Sequence, residues 1–122
     1  MKICITAEGQ TLDSQVDPRF GRCQNFIFFD TQTGDLEALS NANAQFQGGA
    51  GIQSAQLVSS KEAKVVLTGH VGPNAFQTLS AAGIQIYTGV TGTVHEAIAA
   101  FKSGKLKITA SPSVGSKFGM GK

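Results

Sequence analysis

Apolar positions in this chain come first as short unbroken runs and later as spaced stripes, and the change of period divides the sequence in two. "KICIT", Lys2 to Thr6, and "NFIFFD", Asn25 to Asp30, are apolar or β-branched runs bounded by polar stretches, which predicts two strands. The turn "TQTGD" leads into a third, "LEALS", Leu36 to Ser40, and its Thr33-Gly34-Asp35 segment suits an antiparallel hairpin. From Asn41 onward helix and strand alternate. Ile52, Ala55 and Val58 recur at three-residue spacing and predict a helix over "IQSAQLVSS", followed by a buried strand from Val65 to Thr68. Pro73 suits the first position of a second helix, "NAFQTLSAA", with Phe76 and Leu79 inward and Gly83 as its stop. "IQIYTG" reads as the fifth strand. Thr93 and Glu96 form a capping box that opens a third helix, with Val94, Ala97, Ile98 and Phe101 inward and Gly104 closing it. "KLKITA" is expected to add a last short strand.

Three strands followed by a βαβα alternation predict one α/β domain, residues 1–110, whose mixed sheet is covered by helices. The remainder, "SPSVGSKFGMGK", lacks an apolar period and predicts a flexible Gly/Ser-rich tail at residues 111–122. One connection stands out by length: Ala7 to Gln24 is longer than most loops in a compact domain, and such loops usually carry function.

Composition narrows the partners. With 122 residues, 15% charged positions and a formal charge of +2, the chain is unlike a disordered acidic tail or a strongly basic nucleic-acid binder. No apolar run approaches the roughly 18 residues needed to span a bilayer, and the polar Glu8 and Gly9 arrive too early for a signal peptide. A cytoplasmic chain with neither nucleic-acid nor membrane partner is expected. Cys4 and Cys23 form no C-x-x-C pair, so free thiols are expected in a reducing compartment.

The long loop carries "DPRFGRC", Asp17 to Cys23. Three further glycine segments, "GGAG", "GHVG" and "TGVTG", precede the three helices, and all should reach the edge where the parallel strands end. Helix starts expose N–H groups and the positive end of the macrodipole, so several at one rim suit an anion. Neither the phosphate loop nor the dinucleotide fingerprint is matched. Arg19 and Arg22 suit oxyanions or sulfide-rich anions, or alternatively pair with Asp17 or Asp13 and shape the loop. Cys23 follows Arg22, whose charge would acidify the thiol into a soft metal ligand; an inert buried thiol at the strand start is the other reading. Cys4 reads as core. His70 and His95 both fall near helix starts, where imidazole can ligate a metal or bond an anion, or simply face water. Acids are sparse and no G-x-S-x-G elbow exists, so no enzyme is expected.

"VDPRFGRC", "NANAQFQGGAG", "VVLTGHVGPNAFQTLSAAGIQIY" and "TVHEAIAAFKSGKL" together resemble the dinitrogenase iron-molybdenum cofactor biosynthesis family, which takes in nitrogenase cofactor carriers and the orange protein of sulfate reducers. The similarity runs from Met1 to Leu106, with D-x-R-F-G-R as its most specific piece. The resemblance implies a three-layer ribonuclease-H-like fold with a mixed five-stranded sheet, helices on both faces and no nuclease activity. It implies a noncovalently held, anionic metal-sulfur cluster containing molybdenum with copper or iron, and a cofactor-assembly protein or ATPase as partner. Family positions fall on Asp17, Arg19, Phe20, Gly21 and Arg22, on Asn43, Gly49 and Gly51, and on Gly69 and Gly72; Cys23 departs from the pattern. The leading expectation is a carrier of such a cluster, using these residues with His70 and Cys23. The alternative is a regulatory module binding a phosphorylated metabolite or a partner ATPase at the same rim.

Overall fold

From Ile3 to Ala7 every residue of the first strand is buried, as happens only where both faces of a sheet are covered. The structure, a computed structural model, describes residues 1–41 and 49–112. Along the chain come β1 (Lys2–Ala7), β2 (Asn25–Asp30), β3 (Leu36–Ser40), α1 (Ala50–Ser60), β4 (Val65–Leu67), α2 (Pro73–Ala81), β5 (Gln85–Tyr87) and α3 (Val94–Lys102). The strands form one sheet in the order β3-β2-β1-β4-β5, with β1 at its centre. β1 and β2 are antiparallel, as are β2 and β3, whereas β4 runs parallel to both β1 and β5. This is the expected mixed five-stranded α/β sheet.

Its two faces are filled by alternate residues of the same strands. Cys4, Phe26, Phe28, Val66 and Ile86 pack under α1 and α2, with Val58 and Leu79 from the helices. Ile3, Ile5, Ile27, Val65 and Leu67 pack under α3 through Val94, Ala97 and Ile98. Each such fully buried side chain contributes about 1.5–3 kcal/mol of transfer free energy. No helix among the described residues is long and apolar enough to cross a membrane.

Helices α2 and α3 begin where their sequences specify. Pro73 occupies the first turn of α2, and Thr93 and Glu96 close a reciprocal capping box on α3. Three details differ from the sequence expectation. α1 starts two residues earlier than its apolar stripe, and its buried face is Ala50, Ser54, Ala55 and Val58, with Ile52 half-buried at the margin of that face. Phe76 and Phe101 are likewise half-buried at the margins of the two cores. "KLKITA" makes no strand: only Ile108 bridges Tyr87, and Thr109 donates to Ile86 O at 2.7 Å. Leu106 is half-buried against the core under α3, but Ile108 stays 56% exposed. Of the expected tail, residues 113–122 lie outside the described residues.

Candidate functional site

The loop between β1 and β2 does not stand off the protein; it doubles back across the ends of the parallel strands. Asp17 N donates to Thr6 O at 2.9 Å and Val16 N to Gly92 O at 2.8 Å. Further along, His70 N donates to Pro18 O at 2.7 Å and Phe20 N to His70 O at 3.1 Å, so that Arg19 and His70 pair as in a parallel ladder. Paired positions carry their side chains on the same side. Both are exposed there.

Gly69 makes this approach possible, because a Cβ on it would lie 2.6 Å from Pro18 Cα. Gly21 does the same on the other flank. It adopts φ 95°, and a Cβ there would stand 2.9 Å from Gly51 Cα in the first turn of α1. Gly51 in turn abuts Ala75 in the first turn of α2, where a Cβ would meet the alanine methyl at 3.2 Å. Loop, α1 and α2 are thus stacked through small residues, and both helix starts come beside the arginines.

Asp17 organises the loop from below. Only 1% exposed, its carboxylate accepts from Arg19 N at 3.1 Å and from Gln24 N at 3.2 Å, and Arg19 Nε stands 3.5 Å from it. Of the two sequence readings, shaping is therefore what Asp17 carries out. Arg19 nevertheless keeps 58% of its side chain exposed, and Arg22 is exposed as well. Phe20 packs inward against Phe26 with ring centroids 6.0 Å apart.

The three helix starts are not alike. Among the described residues, neither α1, entered from Gly49 at φ 74°, nor α2, entered from Gly72, has a side-chain cap. The first turn of α3 is closed: Val94 N donates to Ser14 O and His95 N to Leu12 O, both at 2.9 Å, and Glu96 N to Thr93 Oγ1 at 3.1 Å. In the preceding "TGVTG", Gly89 and Val90 donate to Gly69 O and Thr68 O. The expected third anion-binding start is thus occupied by the protein's own carbonyls. His95 goes with it, on the helix that covers the opposite face of the sheet.

Cys23 is fully buried, and its environment reverses the acidification expected from Arg22. Burial, then the charge of Asp17, pushes its thiol up to about 12 against smaller opposing hydrogen bonds from Gly21 and Asn41. In the turn before β2, Arg22 is exposed while Cys23 is buried in the core. Among the described residues no group of three or more His, Cys, Asp or Glu could hold a metal ion. A bare cation therefore finds no cage there. Backbone N–H groups and guanidinium ions instead suit an anion that brings its own ligand shell.

Asn43 lies outside the described residues. Its neighbour Asn41, which the sequence did not single out, is central: its amide donates to Cys23 O at 2.9 Å and Gly21 O at 3.1 Å. Thr6, Thr68 and Ser54 complete a buried polar layer under the loop. The available signal was a polar residue at the end of three strand-like runs, Thr6, Asn41 and Thr68, with Ser54 among the small residues of α1.

The sequence pattern that defines the dinitrogenase iron-molybdenum cofactor family matches residues 1–104. The apo form of the orange protein from Desulfovibrio gigas is 43% identical and superposes with a TM-score of 0.90 over 93% of this chain and 96% of its own. A Thermotoga protein assigned as NifB is 37% identical, with a TM-score of 0.80 over 93% of this chain and 98% of that one. An uncharacterized protein of Methanocaldococcus jannaschii is 27% identical over 110 residues, covering 88% of this chain and 90% of its own length.

Proposed function

The chain belongs to the dinitrogenase iron-molybdenum cofactor family, and on that basis we propose that it binds and carries a preassembled, anionic metal-sulfur cluster of the molybdenum-containing kind. One observation carries this reading: the uncapped starts of α1 and α2 stand against a loop that exposes Arg19 and Arg22. The positive helix ends and the two guanidinium groups attract the cluster, and the loop fixes their spacing. The donors are N–H groups, so the cluster keeps its sulfide ligands and is held without covalent bonds to protein. His70, beside Arg19, supplies an imidazole to the same rim. The protein performs no catalytic step on this reading; reactivity belongs to the cargo. Cys23 has a packing role.

Supplying the purified chain with tetrathiomolybdate and copper(I) should then produce a stoichiometric charge-transfer absorption that stays with the protein on gel filtration. Arg19→Ala with Arg22→Ala should weaken uptake at least about tenfold, as the loss of two charge-assisted contacts requires. A wild-type chain that remains colourless, yet gives binding heat with a nucleotide in the absence of metal, would reject this reading for the phosphorylated-metabolite one.

A further inference from the structure

The carbonyl of Gly21 is held from behind. Asn41 Nδ2 donates to it at 3.1 Å and Ser54 Oγ at 3.4 Å, while the same Asn41 amide reaches Cys23 O at 2.9 Å. Asn41 is itself fixed just past β3: it is 7% exposed and its N–H donates to Gln24 O at 2.9 Å. In a trans peptide the C=O and the following N–H point in opposite directions, and no cis bond occurs among the described residues. A Gly21 carbonyl drawn into the core therefore turns the Arg22 N–H outward. One buried amide grips the carbonyls of both neighbours of Arg22, so the exposed arginine starts from a backbone with little freedom.

Resting on the function proposed above, we infer that Asn41 is a positioning residue for Arg22, acting on cluster affinity through that guanidinium. Ser54 supports it from α1 by sharing the Gly21 carbonyl. The arrangement also explains why the loop needs glycine at 21. Its φ of 95° brings the carbonyl round to the amide, and the absent Cβ leaves room for Gly51.

A double-mutant cycle tests this, with Asn41→Ala and Arg22→Ala made singly and together in the full chain. The readouts are affinity for tetrathiomolybdate with copper(I) and, separately, stability in urea. Asn41→Ala should weaken binding about tenfold when Arg22 is present and less than about twofold when it is alanine, a coupling within the range for contacting residues. Its stability cost should be the same in both backgrounds, because the packing it disturbs is the same. Ser54→Ala, removing only the longer bond, should show a smaller coupling of the same sign. It carries the test if Asn41→Ala fails to fold. Equal affinity losses in the two backgrounds would overturn the inference while leaving the proposed carrier role intact. If Arg22→Ala binds the probe as tightly as wild type, both the role of Arg22 and the inference fall.

Discussion

The hydroxyls of Thr6 and Thr68 meet at 2.8 Å where β1 and β4 end, and neither residue is exposed. The Thr6 hydroxyl is placed to donate to Asp17 O at 2.7 Å as well as to Thr68 Oγ1, so it bridges the loop and the end of β4. The loop between β1 and β2 is thereby tied to two adjacent strands at one point. Thr68→Val keeps the shape but removes one of the two acceptors of the buried Thr6 hydroxyl, which should cost about 1–3 kcal/mol. An unchanged urea midpoint would show that the pair contributes nothing.

Gly69 and Gly72 lie in the same turn and should respond differently. A Cβ at Gly69 would stand 2.6 Å and 2.7 Å from Pro18 Cα and O, both backbone atoms that cannot swing aside. Gly69→Ala should therefore cost about 1–3 kcal/mol by overpacking and lower cluster uptake with it. At Gly72 nothing lies within 4 Å of a new Cβ. Gly72→Ala should cost less than about 1 kcal/mol, the residual coming from alanine's poorer helix capping. Thermal melts of the two variants, side by side with uptake, decide the matter.

Alkaline pH should weaken the fold through its thiols. Burial, and then proximity to Cys23, raises Cys4 well above its ordinary value, while Cys23 stands at about 12. An unfolded thiol ionises near about 8.5. Between those values the unfolded chain binds fewer protons than the folded one, so stability falls as pH rises, by at most about 1.4 kcal/mol per pH unit for each thiol. Below the unfolded value the contribution is complete. Urea titrations under reductant at pH 8 and pH 10 should show the decline, and Cys23→Ala should make it shallower; a slope unaffected by that substitution would contradict the buried thiol.

Glu62 is the one non-glycine residue with positive φ among those described, at 66°, in the turn that closes α1. A side chain in the left-handed region costs roughly 1 kcal/mol, partly offset in a glycine replacement by the greater entropy of the unfolded chain. Glu62→Gly should therefore stabilise by about 0.5 kcal/mol, a rise in Tm of roughly 2–4 °C. A lower Tm would mean that the Glu62 side chain contributes more than its strain.

The elements were legible because their signals are local. Runs bounded by polar residues gave β2 and β3 with their observed ends, and the capping box placed the start of α3. What escaped was set by contacts far along the chain. Nothing near Val94 announces that Leu12 and Ser14 will occupy its helix start. Cys23 was judged by its neighbour Arg22, although the turn before β2 leaves Arg22 exposed and buries Cys23. "KLKITA" has strand composition, but only Ile108 and Thr109 meet β5. The glycines at 21, 49, 51, 69 and 72 were recognisable as a set; that Asn41 holds the loop was not, because the carbonyls of Gly21 and Cys23 that it grips have no sequence signature.

The position of β1 at the centre of the sheet also orders events during synthesis. β1 can pair with β2 within a short stretch of chain, but its partner on the other side is β4, reached only at Val65. A nascent chain that has released only β1, β2 and β3 holds the arginines without Thr68, His70 or either helix start beside them. Closing that long-range pairing carries an entropic penalty that local hairpins avoid. On the proposed carrier reading, the rim that would receive a cluster is complete only once α2 has left the ribosome.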